Sequence, residues 1–266
     1  MNEVMLFDIQ RGSTVDGPGM RTVVFFKGCN LRCGWCHNPE SQRFEPQVMF
    51  EAGQCIGCGS CKSAGDLDEL CPTGAKRICG KLWSTEEVMA QILSDRTFYE
   101  KTGGGVTFSG GECMLQPEGL LALLRRCKEE NIHTAIDTAG HIPWEVFQRT
   151  LPLTDLYLYD IKCIDSAVHR KHTGVDNKLI LENLQKLLQA GKDVILRLPI
   201  VSQVNDDPAQ LEALLQMIKP WGKPKGVELL PCHTMGAHKY TALGLDVPTY
   251  VSPSREHIQL LQAMIN

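Results

Sequence analysis

The sequence predicts an α/β protein, a parallel sheet rolled part-way into a barrel and interrupted early by a cysteine-rich insertion. Two observations lead there. From Met20 onward, six strand patterns are each followed by a helical segment, which implies parallel strands joined by right-handed crossovers. Eight of the twelve cysteines lie between Cys29 and Cys79, and the stretch from Ser41 to about Leu82 carries no periodic segment long enough for a core element. A doubly wound open sheet shares this local pattern and stays as the alternative, because periodicity does not separate closure from splay.

The elements follow in order. Met20–Lys27 reads MRTVVFFK, a β-branched and aromatic run ending at Gly28. After the insertion, Ser84 starts a helix through about Tyr99, with Glu87 in capping-box position. GVTFSGG from Gly105 reads as the second strand, entering a tight turn. A helix near Pro117–Asn131 precedes HTAIDTAG at His133, and one near Pro143–Thr150 precedes LYLYDIK at Leu156. Leu179–Ala190 is helical before DVILRLPIV at Asp193, Pro208–Lys219 before GVELLPCH at Gly226, and Ser254–Met264 closes the chain.

Composition bounds the function. With 266 residues and 43% apolar content the chain can bury one sizeable core. A net charge of −4 with no Lys or Arg run supplies no footprint for nucleic acid or an anionic membrane. Met1–Thr14 lacks the apolar stretch of a signal peptide, and no run approaches the roughly 20 apolar residues of a membrane helix. A cytoplasmic location is expected. Twelve cysteines in a reducing compartment point to metal or catalytic thiols rather than disulfides.

Cys29-x3-Cys33-x2-Cys36 occupies the loop leaving the first strand, and thiolates so spaced can converge on one metal centre. A structural zinc site or an electron-transfer cluster takes four ligands, so three leave a position for a substrate. The competing reading is a zinc site completed by His37, which adjoins Cys36 too closely to share one ion easily. Ser109-Gly110-Gly111-Glu112 follows the second strand, where paired glycines permit close backbone approach and a carboxylate can hold an ammonium group. Asp137 ends the third strand, Asp160 and Lys162 the fourth, Arg197 lies in the fifth and His233 ends the sixth. Each alone suits a salt bridge or a turn; gathered at the C-terminal ends of parallel strands they mark a ligand site.

DGPGMRTVVFFKGCNLRCGWCHNPE, from Asp16 to Glu40, closely resembles the N-terminal signature of the radical S-adenosylmethionine (SAM) activating enzymes of glycyl radical enzymes. SGGE at Ser109, DTAG at Asp137, YDIK at Tyr159, LRLPIV at Leu196 and PCHTMGAHKY at Pro231 are similar to the family's later motifs, in the same order. The resemblance spans nearly the whole chain and implies a partial (β/α)6 TIM-type barrel over residues 1–40 and 83–266. It implies that Cys29, Cys33 and Cys36 hold a [4Fe–4S] cluster whose open iron binds SAM, and that reductive cleavage yields methionine and a 5′-deoxyadenosyl radical. That radical would abstract a hydrogen atom from a backbone glycine of a partner glycyl radical enzyme. Carried over by position, Trp35, Cys36 and His37 flank the adenine, and Gly110, Gly111 and Glu112 hold the methionine amino group. Asp137, Asp160, Lys162, Arg197 and His233 complete the pocket. Asp137, Thr138 and Asp160 match a monovalent-cation site, and Asp16 is a candidate for docking the partner. A flavodoxin- or ferredoxin-type electron donor and a monomeric state are expected.

Within residues 41–82, Cys55-x2-Cys58-x2-Cys61 followed by Cys71-Pro72 resembles the bacterial ferredoxin run. Nine residues rather than three precede the Cys-Pro, and no second CxxCxxC block is present. One auxiliary [4Fe–4S] cluster on Cys55, Cys58, Cys61 and Cys71 is therefore expected, with Cys79 as an alternative fourth ligand and structural zinc, or a cluster serving only docking, as rival uses. Cys113, Cys127, Cys163 and Cys232 lack ligand spacing and read as core; His238 and Lys239 read as surface or partner-contacting. The rival functional readings are a radical SAM enzyme acting on a small molecule or peptide, and a metal-binding module without catalysis.

Overall fold

The computed structural model of the chain describes residues 3–62 and 71–265; residues 63–70 of the expected insertion lie outside them. An eight-stranded sheet organises the molecule, in the order β10-β9-β8-β7-β6-β2-β1-β5. Its parallel part comprises β2 (Arg21–Phe26), β6 (Gly105–Gly110), β7 (His133–Thr138), β8 (Leu156–Asp160), β9 (Val194–Ile200) and β10 (Gly226–Pro231). These are the six strands the sequence predicts. Their spatial order follows chain order without reversal, so the sheet has no topological switch point, which a doubly wound fold requires. Among the described residues β10 and β2 stand unpaired with each other, so the barrel is partial.

Two antiparallel strands extend the sheet beyond β2, namely β1 (Glu3–Ser13) and β5 (Lys81–Ser84). The sequence pattern concealed β1 because only Val4–Leu6 is continuously buried, while Asp8, Gln10 and Arg11 of its outer half are exposed. Inside the insertion, β3 (Gln47–Phe50) and β4 (Lys76–Cys79) form a separate two-stranded hairpin. It buries Met49 and Cys79 against Ala242 near the C-terminus.

The predicted helix from Ser84 to Tyr99 is two helices, α1 (Thr85–Ser94) and α2 (Arg96–Thr102). Ser84 caps α1 through the expected box: its hydroxyl accepts the Glu87 N–H at 3.2 Å, and the Glu87 carboxylate accepts the Ser84 N–H at 2.8 Å. The break falls at Asp95, whose buried carboxylate accepts from Arg11 Nε at 2.9 Å and Thr22 Oγ1 at 2.6 Å, pulling the backbone out of helical geometry.

Helices α3 (Pro117–Glu129), α4 (Trp144–Thr150), α6 (Lys178–Gln189), α7 (Pro208–Ile218) and α9 (Arg255–Ile265) match the predicted segments to within a few residues; α5 (Ser166–Thr173) and α8 (Ala237–Ala242) are additional. The core lies between strands and helices. Val106, Phe108, Tyr157 and Tyr159 are fully buried, as parallel strands covered on both faces should be. Leu120, Leu121, Leu123 and Leu124 of α3 and Ile180, Leu184 and Leu187 of α6 join them, each such side chain contributing about 2 kcal/mol on burial. Cys113, Cys127 and Cys163 are buried as expected, whereas Cys232 is only half-buried. No helix among the described residues is long and apolar enough to cross a membrane.

Candidate functional site

The loop after β2 carries the cysteine triad, and its path is fixed by backbone bonds. Gly28, at φ +97°, turns the chain and donates its N–H to the Ser41 carbonyl at 2.7 Å. The amides of Arg32 and Gly34 donate to the carbonyls of Thr173 and His172 at 2.7 and 2.9 Å, so the loop hangs on the C-terminal carbonyls of α5. The sequence carried the signals for α5, an Asp165 N-cap and a Gly174 C-cap at φ +86°, but its polar composition hid them.

Within this loop, burial pushes the Cys29 and Cys33 thiols up to about 12 and raises Cys36 as well. Thiols so placed keep their protons unless a cation compensates, which suits metal ligation with proton release. Among the described residues no three His, Cys, Asp or Glu side chains converge on a single metal ion. A cluster, in which each thiolate meets a different iron, spaces its sulfurs more widely than one ion does. His37 does not complete the triad: its ring packs edge-on against His233 at 4.7 Å between centroids. A narrow pocket there is lined by Trp35, Cys36, His37, His233, Tyr240 and Tyr250. Trp35 meets Tyr250 edge-on at 5.5 Å, and the Tyr250 hydroxyl bonds His172 Nδ1 at 2.8 Å.

The SGGE turn at the end of β6 packs directly on this loop. Cβ atoms on Gly110 and Gly111 would come within 2.2 Å of the Phe26 carbonyl oxygen and 2.3 Å of that of Gly28. The glycines thus permit the two loops to touch. Glu112 follows, fully buried, its N–H bonded to the Gly28 carbonyl at 2.8 Å. Its carboxylate accepts from Thr138 Oγ1 at 2.7 Å, the Ala139 N–H at 3.2 Å and the Met114 N–H at 3.3 Å. Desolvation outweighs these bonds and pushes its carboxyl up to about 7.

Asp137, Asp160, Lys162 and Arg197 form the other wall, with side chains between 13% and 18% exposed. Asp137 accepts from Ser109 Oγ at 2.7 Å and pairs with Arg197 at 3.3 Å; Asp160 pairs with Lys162 at 2.6 Å. Register puts Asp160 opposite Arg197. Burial raises the Asp137 carboxyl despite Arg197. Among the described residues three buried polar atoms of this wall lack a hydrogen-bond partner: Asp137 Oδ1, Asp160 Oδ1 and Arg197 Nε. Such atoms are costly unless a ligand satisfies them. A cationic group against the carboxylates and a ligand carboxylate against the guanidinium would do so.

The remaining candidates lie further out. Asp16, half-buried, accepts from the Ser13 hydroxyl at 2.5 Å, and its carbonyl accepts from Thr107 Oγ1 at 2.7 Å. Cys55 and Cys58 are exposed, Cys61 and Cys71 half-buried. A hydrogen bond from the Ser60 hydroxyl holds the Cys58 thiol below its ordinary value, and the Lys76 amide does the same for Cys71. Cys58 and Cys71 lie near enough to influence each other, whereas Cys79 is buried beside Lys27 and Glu40.

A mostly parallel partial barrel whose first loop presents three half-buried thiols to a cluster of charged, partly unpartnered side chains defines a class, enzymes that hold an iron–sulfur centre beside a small ligand. The family model described as the radical SAM superfamily matches residues 23–215. The chain is 40% identical to the choline trimethylamine-lyase activating enzyme of Oleidesulfovibrio alaskensis, over 95% of this chain and 91% of that protein. It is 38% identical to the (2S)-3-sulfopropanediol dehydratase activating enzyme of Klebsiella oxytoca, over 98% and 94%. The crystal structure of a domain of pyruvate-formate lyase-activating enzyme from Bacteroides vulgatus superposes with a TM-score of 0.53 at 31% identity, covering 61% of this chain and 92% of that one. The chain belongs to the radical SAM superfamily and, within it, to the glycyl radical enzyme activating enzymes. Membership implies SAM and a [4Fe–4S] cluster as cofactors.

Proposed function

We propose that this protein activates a glycyl radical enzyme, with Cys29, Cys33 and Cys36 as the ligands of the SAM-binding cluster. The observation that carries the reading is the meeting of the half-buried triad thiols with the unpartnered atoms of Asp137, Asp160 and Arg197. When bound, the cluster supplies the electron that splits SAM into methionine and a 5′-deoxyadenosyl radical, which takes hydrogen from a glycine of the partner.

The chain's own groups bind and orient. Gly110 and Gly111 bring Glu112 against the triad loop, where its carboxylate receives the methionine ammonium. Asp137, Lys162, Arg197 and His233 hold the rest of the amino acid and ribose, and Trp35, Cys36 and His37 flank the adenine. A monovalent cation fits the bare oxygens of Asp137 and Asp160 beside Thr138, since such ions take oxygen ligands. Asp16 stands in the loop that receives the partner's glycine peptide.

Residues 41–82 act as a ferredoxin-like unit on a barrel made of 1–40 and 83–266. One auxiliary [4Fe–4S] cluster sits on Cys55, Cys58, Cys61 and Cys71; the electrostatic contact of Cys58 with Cys71 and the packing of Cys79 into the apolar contact with Met49 and Ala242 favour Cys71 as fourth ligand. Held there, such a cluster would pass on electrons from a flavodoxin- or ferredoxin-type donor, and the protein works as a cytoplasmic monomer. The test is anaerobic reconstitution and reduction with dithionite. SAM should give equal amounts of methionine and 5′-deoxyadenosine; a reduced, iron-replete protein that leaves SAM intact sinks the proposal.

A further inference from the structure

The motif that places His233 in the pocket ends in His238-Lys239-Tyr240, where Tyr240 lines the same narrow pocket and Lys239 is not the surface residue its charge suggests. It sits on α8, which packs against the segment following the triad. Tyr240 donates its hydroxyl to the Cys36 carbonyl at 2.9 Å. Lys239 Nζ donates to Asn38 Oδ1 at 2.6 Å and pairs with the buried Glu40 carboxylate at 2.7 Å. Gly236 lies so close that a Cβ there would come within 2.6 Å of the His37 carbonyl oxygen. His238, by contrast, is exposed.

Both sides of this clamp are anchored. Ala242, at the end of α8, packs on Met49 and Cys79 of the β3–β4 hairpin. The fully buried Lys27 donates to the Glu40 carbonyl at 2.5 Å and to Gln47 Oε1 at 3.0 Å. Residues about 200 positions away in sequence thus bond the Cys36 carbonyl and the side chains of Asn38 and Glu40, and close on the His37 carbonyl. These bonds fall on the Cys36 carbonyl and on the side chains of Asn38 and Glu40, none of them on a sulfur, so the three thiols can ligate without them.

We infer that Lys239 and Tyr240 are positioning residues for SAM, fixing the Cys36 carbonyl and the Asn38 and Glu40 side chains so that the strip of backbone between them receives the ligand's nucleoside end. The inference rests on the reading of this loop as the cluster-bearing, SAM-flanking segment. A strut needed only for folding would instead be felt by the cluster and the ligand together.

Reconstituted Tyr240→Phe, Lys239→Met, Lys239→Arg and Tyr157→Phe proteins separate these cases. The measurements are iron and sulfide content, and SAM affinity from titration of the reduced cluster's electron paramagnetic resonance spectrum. Tyr240→Phe keeps the ring and loses one hydrogen bond, so SAM affinity should fall about fivefold at unchanged iron content. Lys239→Met, losing a charged contact, should cost tenfold or more, and Lys239→Arg should recover most of it. Tyr157→Phe, which removes a buried hydroxyl bonded to Thr150 at 2.9 Å and not to the loop, should leave affinity unchanged. Wild-type SAM affinity in both Tyr240→Phe and Lys239→Met, or parallel loss of iron and affinity, overturns the inference. A wild-type cluster that does not respond to SAM at all overturns the functional reading instead.

Discussion

Glu112 is the residue whose charge state costs the fold most clearly. Its carboxyl is displaced by burial from 4.5 to about 7. At about 1.4 kcal/mol per pH unit, ionising it in the folded protein is disfavoured by about 3 kcal/mol. A raised folded-state value means that the stabilising effect is fully present below about pH 4.5 and is lost as pH rises through 7. Glu112→Gln removes this dependence. Its amide oxygen can take over the bonds from Thr138 and Ala139, while the amide nitrogen faces the Met114 N–H, a loss of about 1 kcal/mol. The linkage advantage of the variant is roughly 1 kcal/mol at pH 5.5 and about 3 kcal/mol at pH 8.5, so it should grow by about 2 kcal/mol over that range. Thermal unfolding of cluster-loaded protein without SAM reads this as a widening difference of several degrees in Tm. The same variant should bind SAM more weakly, a separation of stability from function. A Tm difference that stays flat or shrinks with rising pH refutes the assignment of the strain to Glu112.

Other consequences follow from named contacts. Gly111→Ala places a methyl 2.3 Å from the Gly28 oxygen, so it should push the SGGE turn off the triad loop and reduce SAM binding by tenfold or more, measured by equilibrium titration. Cys33→Ala should abolish SAM cleavage under any reductant, whereas Cys58→Ala should slow turnover with a protein donor yet leave dithionite-driven 5′-deoxyadenosine formation; equal loss in both refutes the division of labour. About eight irons per chain are expected in the wild type, and about four would remove the auxiliary cluster. Asp95 is held below the usual carboxylate range first by its hydrogen bond from Arg11, so its stabilising effect is present near neutrality and lost as pH falls through its lowered value. Asp95→Asn should cost about 2 kcal/mol at pH 7 in thermal unfolding, and the deficit should narrow in acid.

The six parallel strands were legible because β-branched runs such as TVVFF and LYLYD are buried on both faces and carry the pattern themselves. Strand order was not, since nothing in a periodicity says which strand pairs with which; only the monotonic order β2-β6-β7-β8-β9-β10 separates a partial barrel from a doubly wound sheet. The helix expected from Ser84 to Tyr99 failed at Asp95 because a tertiary contact with Arg11, 84 positions away, overrode local propensity. The strand-end residues could be found because parallel strands all deliver their ends to one side. What holds them there could not. His172, Tyr240 and Tyr250 reach the triad loop from remote positions through contacts that leave no spacing signature, and Lys239 looked like surface because a charge reads as exposed until its partner Glu40 is seen.

The central claim is that this chain transfers a radical to a glycine of another protein. The measurement is electron paramagnetic resonance of a mixture of reduced protein, SAM and a candidate partner glycyl radical enzyme from the same genome, freeze-quenched without oxygen. A glycyl doublet on the partner, absent when Cys33→Ala replaces the wild type, is predicted. SAM turnover that needs a small substrate and leaves the partner without that doublet would contradict the account.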